Sequence, residues 1–167
     1  MNLSLVPQMT LTQLLSLATI ELSLRSISRD AVFAELIGKI PELARDTAAN
    51  QELLRTLQGR EKVCSSGLGG GVAIPHARKN VAGLDEAIIV FGRHRRGIPY
   101  GALDGLPVKL IFLLLAPTVS QHLQIFARLQ RVLRTPSLRQ NLIAAEQPEQ
   151  VIEFISEAEE GIESLNR

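Results

Sequence analysis

The chemistry available to this chain is concentrated in one short stretch. From Arg60 to Arg78 it reads R-E-K-V-C-S-S-G-L-G-G-G-V-A-I-P-H-A-R, with glycines at 67, 69, 70 and 71 and a histidine directly after Pro75. An imidazole titrates near pH ~6.5 and at neutral pH keeps a lone pair on one nitrogen, so His76 can act as nucleophile, base or metal ligand. Proline has a fixed φ and no amide donor, so Pro75 ends strand pairing and presents His76 at a strand edge. Arg60 and Arg78 bracket the stretch and offer cations to an anion held at His76. Successive amides of a glycine-rich loop can form an anion-binding concavity. A histidine, two arginines and an amide nest together suggest a phosphoryl group carried on His76. The plainer alternative is a surface histidine beside a glycine turn.

Better-known uses of a glycine loop do not fit. The nucleotide phosphate loop continues into Gly-Lys-Ser/Thr, whereas this loop runs into Val72-Ala73. The dinucleotide fingerprint needs a glycine where Val72 stands. There is no His-Glu-x-x-His, and a single cysteine, Cys64, cannot make a paired-cysteine zinc site.

The segment S-G-L-G-G-G-V-A-I-P-H resembles the active-site signature of the fructose/mannitol-type enzyme IIA domains of the bacterial sugar phosphotransferase system. That signature reads Arg-Glu, a few residues, then Thr-Gly-x-Gly-x-Gly-x-Ala-Ile-Pro-His. Arg60-Glu61 stands at the matching distance, Ser66 replaces the threonine, and Gly70 replaces the usual asparagine and should loosen the loop. The likeness extends to Leu103-Asp104-Gly105-x-Pro107-Val108 and Gln121-His122-Leu123-Gln124, and covers most of the chain.

Length and composition bound the rest. At 167 residues the chain has the size of one ordinary domain, and the resemblance implies that residues 1–167 form a single enzyme IIA (type 2) unit. Hydrophobic and charged fractions of 46% and 21% are those of a soluble globular protein, and a net charge of +1 points to neither nucleic acid nor membrane. Cys64 excludes an internal disulfide and fits a reducing cytoplasm. Residues 1–20 hold no basic residue, so no signal peptide is expected, and the longest apolar run, 110–116, is too short to span a bilayer.

Periodicity and caps place the elements. A short helix over 11–17 with Thr10 as cap precedes an alternating strand over 20–24. Ser28 caps a helix running to 43 that buries Val32, Leu36 and Ile40, and a second helix over 48–58 turns Leu53, Leu54 and Leu57 inward. After a turn near Gly83, the β-branched run 87–91 reads as a buried strand. Arg93-His94-Arg95-Arg96 reads as a solvated hairpin tip and not as a nucleic-acid surface, which shows a wider basic field. Residues 108–116, apolar except for Lys109, suit a central strand covered on both faces and ended by Pro117. Ser120 caps a helix over 121–134 with His122, Phe126, Leu129 and Leu133 on one face. Thr135-Pro136 starts a helix to 145, and Gln147-Pro148 a last one to 159 that faces Val151, Ile152 and Ile155 inward. Mixed helices and apolar strands give an α/β (α+β) fold with a sheet covered by helices on both faces. The resemblance implies the same three layers around a mixed sheet.

From its helix alone, His122 reads as a histidine packed over the core. The resemblance implies instead a second histidine close to the phosphorylated one, orienting it and touching the phosphoryl oxygens. On that reading His76 accepts a phosphoryl group from the small histidine-containing phosphocarrier protein. Arg60 and the loop at Ser66, Gly67 and Gly69 hold the oxygens, and the group passes to an enzyme IIB or serves as a signal. A loose transition state leaves catalysis to positioning and charge. No metal or organic cofactor is implied. The expected branch is the stand-alone nitrogen-regulatory enzyme IIA. A IIA for a fructose- or mannitol-type permease, a binding module without phosphotransfer, and a His-dependent hydrolase are the alternatives, the last without a recognisable nucleophile elbow.

Overall fold

The computed structural model describes residues 9–77, 81 and 83–165. Its organising element is β6, Val108–Leu115, in which every residue but Lys109 is apolar and buried. Side chains alternate across a strand. Leu110, Phe112 and Leu114 therefore enter one core, and Ile111, Leu113 and Leu115 the other. β6 pairs antiparallel with β5, Ile88–Ile98, and parallel with β3, Val72–Ala73, and β4, His76–Ala77. β1, Ile20–Glu21, runs parallel to β5, and β2, Gly67–Gly69, antiparallel to β3. The mixed sheet has the order β1-β5-β6-β3-β2, with β4 also on β6.

One face is covered by α1, Arg29–Ile37, and α2, Thr47–Val63. The other is covered by α3, Val119–Leu133, α4, Pro136–Ala144, and α5, Pro148–Leu165, together with the turn Leu11–Leu14. The three expected layers are present.

Several boundaries differ from the sequence reading, each for a local reason. The first helix is two 3-10 turns, Leu11–Leu14 and Leu17–Thr19. β1 stops at Glu21, although the Leu24 amide still bonds the Arg93 carbonyl at 3.0 Å. α1 starts at its expected cap, where Ser28 accepts from the Ala31 amide. It ends at Ile37 because Pro41 forces Ile40 into an extended conformation, and Pro41–Leu43 forms a separate turn. α2 is capped by Asp46 and runs through Gly59 to Val63. A helical glycine costs about 1 kcal/mol relative to alanine, too little to break a helix with Leu53 and Leu57 fully buried. α3 is capped by Thr118, whose hydroxyl accepts from the Gln121 amide at 3.2 Å, so Ser120 already lies inside the first turn.

The basic run 93–96 is not a hairpin tip. β5 continues through it, and Arg93 and His94 are buried while Arg95 and Arg96 face solvent. The Arg93 guanidinium donates to the carbonyls of Leu22, Ile143 and Ala145, so it caps the C-terminal end of α4 from beneath. Carbonyls at a helix C-terminus are the partners that let a cation be buried. Burial pulls this guanidinium below its ordinary range.

Candidate functional site

The glycine stretch folds as a hairpin, β2 to β3, whose turn holds Gly69, Gly70 and Gly71 at φ of 86°, 64° and 80°. These left-handed angles are open to glycine at no steric cost. Asp104 fastens the turn, accepting from the Gly70 amide at 2.8 Å and the Leu106 amide at 3.1 Å. Those two bonds, Gly70 first, hold the Asp104 carboxyl below the ordinary carboxylate range.

The base of the hairpin adjoins His76; its tip does not. Gly69 pairs with Val72, and Val72 and His76 lie opposite Leu110 and Leu114 of β6. Four residues of strand separate them, about 13 Å at ~3.3 Å per residue. Gly67 pairs with Ala73, three residues short of His76. The Ser66 amide donates to Glu61 Oε2 at 3.0 Å, and the Gly67 amide to Ser65 Oγ at 3.1 Å. The hairpin amides at 66, 67 and 70 thus have partners within the chain. The amide nest anticipated around a phosphoryl group is not formed by them here.

His76, Arg60 and His122 come together from three elements. Pro75 separates β3 from β4, and its carbonyl accepts from the Leu114 amide at 2.9 Å, which seats His76 on the central strand. His76 Nδ1 lies 2.8 Å from the Ile74 carbonyl oxygen. A carbonyl only accepts, so Nδ1 carries the proton and the lone pair is on Nε2. Arg60, in the last turn of α2, donates from Nη1 to the Cys64 carbonyl at 2.7 Å and turns Nη2 toward His76 Nε2 at 3.5 Å. That helix end was expected before Arg60; its extension to Val63 is what carries the guanidinium there.

His122 reaches the same place from the first turns of α3. Its ring centroid is 4.8 Å from that of His76, with the planes tilted by 42°. Phe126, one turn on, packs edge-on against His76 at 5.2 Å and stacks on His122 at 5.9 Å. His76 and His122 are 4% and 2% exposed, so only an edge of the pair meets solvent. Arg78 falls outside the described residues. The arrangement joins a nucleophilic nitrogen of set tautomer, a cation facing it and a second imidazole within reach of the same substituent. Those are the groups needed to take, hold and release a compact anion.

Two neighbours have no role in the sequence reading, although Glu61 is part of the matched signature. Glu61 is buried beside Arg60 and accepts from the Ser66 amide and hydroxyl, and from the Tyr100 hydroxyl at 3.3 Å. The available signal was a carboxylate in the last turn of a helix, where the dipole favours a base. Tyr100 is buried too, with its hydroxyl 2.9 Å from Ser66 Oγ and its ring edge-on to Phe33. Nothing in its sequence neighbourhood marked it.

Residues 13–158 match the family described as "Phosphoenolpyruvate-dependent sugar phosphotransferase system, EIIA 2". A nitrogen regulatory protein of Bradyrhizobium diazoefficiens is 35% identical over 140 residues, 82% of this chain and 88% of that protein. The fructose-specific EIIABC component of Bacillus subtilis is 32% identical over 153 residues; the match takes in 89% of this chain but 23% of that longer protein. The crystal structure of the nitrogen regulatory protein IIA-Ntr from Neisseria meningitidis superposes with a TM-score of 0.77 at 32% identity, covering 86% of this chain and 97% of that one.

Proposed function

The chain belongs to the EIIA 2 family of the phosphoenolpyruvate-dependent sugar phosphotransferase system, and we propose that it carries a phosphoryl group on Nε2 of His76. The observation that carries this reading is the pair of contacts on one imidazole: Nδ1 bonded to the Ile74 carbonyl and Nε2 facing Arg60. The Nε2 lone pair attacks phosphorus of a phosphohistidine on the histidine-containing carrier protein. The donor N–P bond breaks, its electron pair returns to the donor imidazole, and a new N–P bond forms at His76. The Nδ1 proton stays in place, and the Ile74 carbonyl stabilises the positive charge that spreads over the phosphorylated ring.

Arg60 and His122 contact the phosphoryl oxygens in this mechanism. An in-line transfer with little covalent demand on the protein is accelerated by such positioned charge and by orientation of the reacting nitrogen. Ser66, Gly67 and Gly69 contribute through the hairpin that sets the course of the chain into His76. The return step is the same chemistry reversed onto an acceptor.

The regulatory branch is our first reading, supported by likeness to nitrogen regulatory proteins along most of their length. Service to a fructose-type permease is the second, supported by the fructose-specific relative. The test is a relay. The phosphorylated protein is mixed with a fructose-type enzyme IIB domain, and label is followed on both. Label retained on this chain supports the regulatory reading. Label passed on within seconds supports the permease reading. No uptake from phosphorylated carrier protein overturns both.

A further inference from the structure

We propose that Glu61 is a positioning residue for His76, acting with Tyr100 through Ser66; the inference rests on the phosphoryl-carrier reading and adds to it the groups that set the imidazole. Successive residues of an α-helix are turned by about 100°. In the last turn of α2, Arg60 therefore lies over His76 while Glu61 points beneath the hairpin into the interior. A buried carboxylate is costly unless its oxygens are used. Here they are used on the loop that leads into the hairpin. Oε2 accepts from the Ser66 amide, Oε1 from the Ser66 and Tyr100 hydroxyls, and Arg29 Nη1 stands 3.9 Å from Oε2.

From Ser66 the path to the imidazole takes two hydrogen bonds. The Ser66 carbonyl accepts from the Ile74 amide at 3.0 Å, and the Ile74 carbonyl accepts from His76 Nδ1 at 2.8 Å. Glu61 thus fixes Ser66, Ser66 fixes Ile74, and Ile74 sets the tautomer and tilt of the ring. Because Glu61 and Arg60 share one helical turn, the same carboxylate also sets the rotation of α2 that aims the guanidinium at Nε2. Tyr100, two residues past the end of β5, supplies a further donor. Its burial, and then the nearby Glu61, push the phenol far above its usual range, so it remains a donor throughout.

Histidine-detected long-range 1H–15N spectra read the tautomer without any phosphotransfer, and a phosphorelay assay reads the rate. The full chain should show His76 as a single Nδ1–H tautomer. In Glu61→Gln one carboxylate oxygen is replaced by an NH2 group, which donates and cannot accept. His76 should then populate both tautomers, and uptake from phosphorylated carrier should slow about 10²-fold, the usual cost of small misplacement at a reacting centre. Tyr100→Phe should give the same change in smaller measure. A purely structural Glu61 predicts a lower melting temperature with an unchanged His76 spectrum; that result in folded Glu61→Gln overturns the proposal. If that variant does not fold, an unchanged spectrum in both Tyr100→Phe and Ser66→Ala overturns it equally. A parent chain with a locked tautomer, lost in these variants, that accepts no phosphoryl group would refute the carrier reading and leave the positioning role standing.

Discussion

Replacing Arg60 by lysine separates the charge of this residue from its shape. The guanidinium serves two sites at once, the Cys64 carbonyl at 2.7 Å through Nη1 and His76 Nε2 at 3.5 Å through Nη2. An ammonium is a single point donor and cannot reproduce that fork. A hydrogen bond to a charged group contributes about 1.5–3 kcal/mol, and each ~1.4 kcal/mol of barrier is tenfold in rate. Arg60 is only half-buried, so the lower end applies, and Arg60→Lys should slow phosphoryl uptake by about 10–30-fold. Losing the Cys64 contact alone costs about 1 kcal/mol, a fall in Tm of about 2–4 °C. The assay is uptake from phosphorylated carrier protein on a rapid-quench timescale, with a melting curve on the same samples. A cap without a chemical role predicts the opposite pattern: parental rates in Arg60→Lys and Arg60→Ala, with only Tm reduced. Parental rates in both variants would remove Arg60 from the site.

Three further outcomes follow from the geometry. His122→Ala should slow uptake by at least about tenfold with far-ultraviolet circular dichroism unchanged, because the ring packs on His76 and Phe126 at the edge of the core; parental kinetics would count against a shared site. Arg93→Met strips donors from the Leu22, Ile143 and Ala145 carbonyls and should lower unfolding free energy by about 1–3 kcal/mol, the cost of leaving a buried acceptor unsatisfied, measured by urea titration, whereas a solvated arginine would cost almost nothing. Asp104 carries a depressed carboxyl, so its hold on the hairpin turn is fully present above the ordinary aspartate value of 3.8 and is lost as pH falls through the lower folded one. The Gly70 amide resonance should titrate with a midpoint below 3.8, and a midpoint at or above that value contradicts the anchor.

Much of this was legible in the residues because local rules and tertiary demands agree. An apolar run interrupted only at Lys109 becomes the strand covered on both faces, and Ser28 and Thr135-Pro136 stand at the starts of their helices. The convergence of His76, Arg60 and His122 was implied by the family resemblance, not by the spacing of the residues, and the three elements do bring them together. The failures share a cause, which is tertiary compensation. A run of four basic residues reads as solvated until α4 ends above Arg93 and supplies carbonyls. The second helix reads as 48–58, but the buried leucines of α2 carry it past Gly59 to Val63. Asp104, from a loop 34 residues on, takes the Gly70 amide, a contact that the glycine spacing alone does not mark. Glu61 stands in the signature but draws no role from it, because its partners, Ser66 and Tyr100, meet it only in three dimensions.

The central claim is that His76 Nε2 carries the phosphoryl group. The most direct measurement is incubation with 32P-labelled phosphocarrier protein, acid and base treatment of the product, and long-range 1H–15N spectroscopy of the phosphorylated chain. The account predicts acid-labile, base-stable phosphate on His76, its 15N shift changed at Nε2 with the proton kept on Nδ1, and no label in His76→Ala. Label retained by His76→Ala, or phosphate found on Nδ1 against the Ile74 carbonyl, would contradict it.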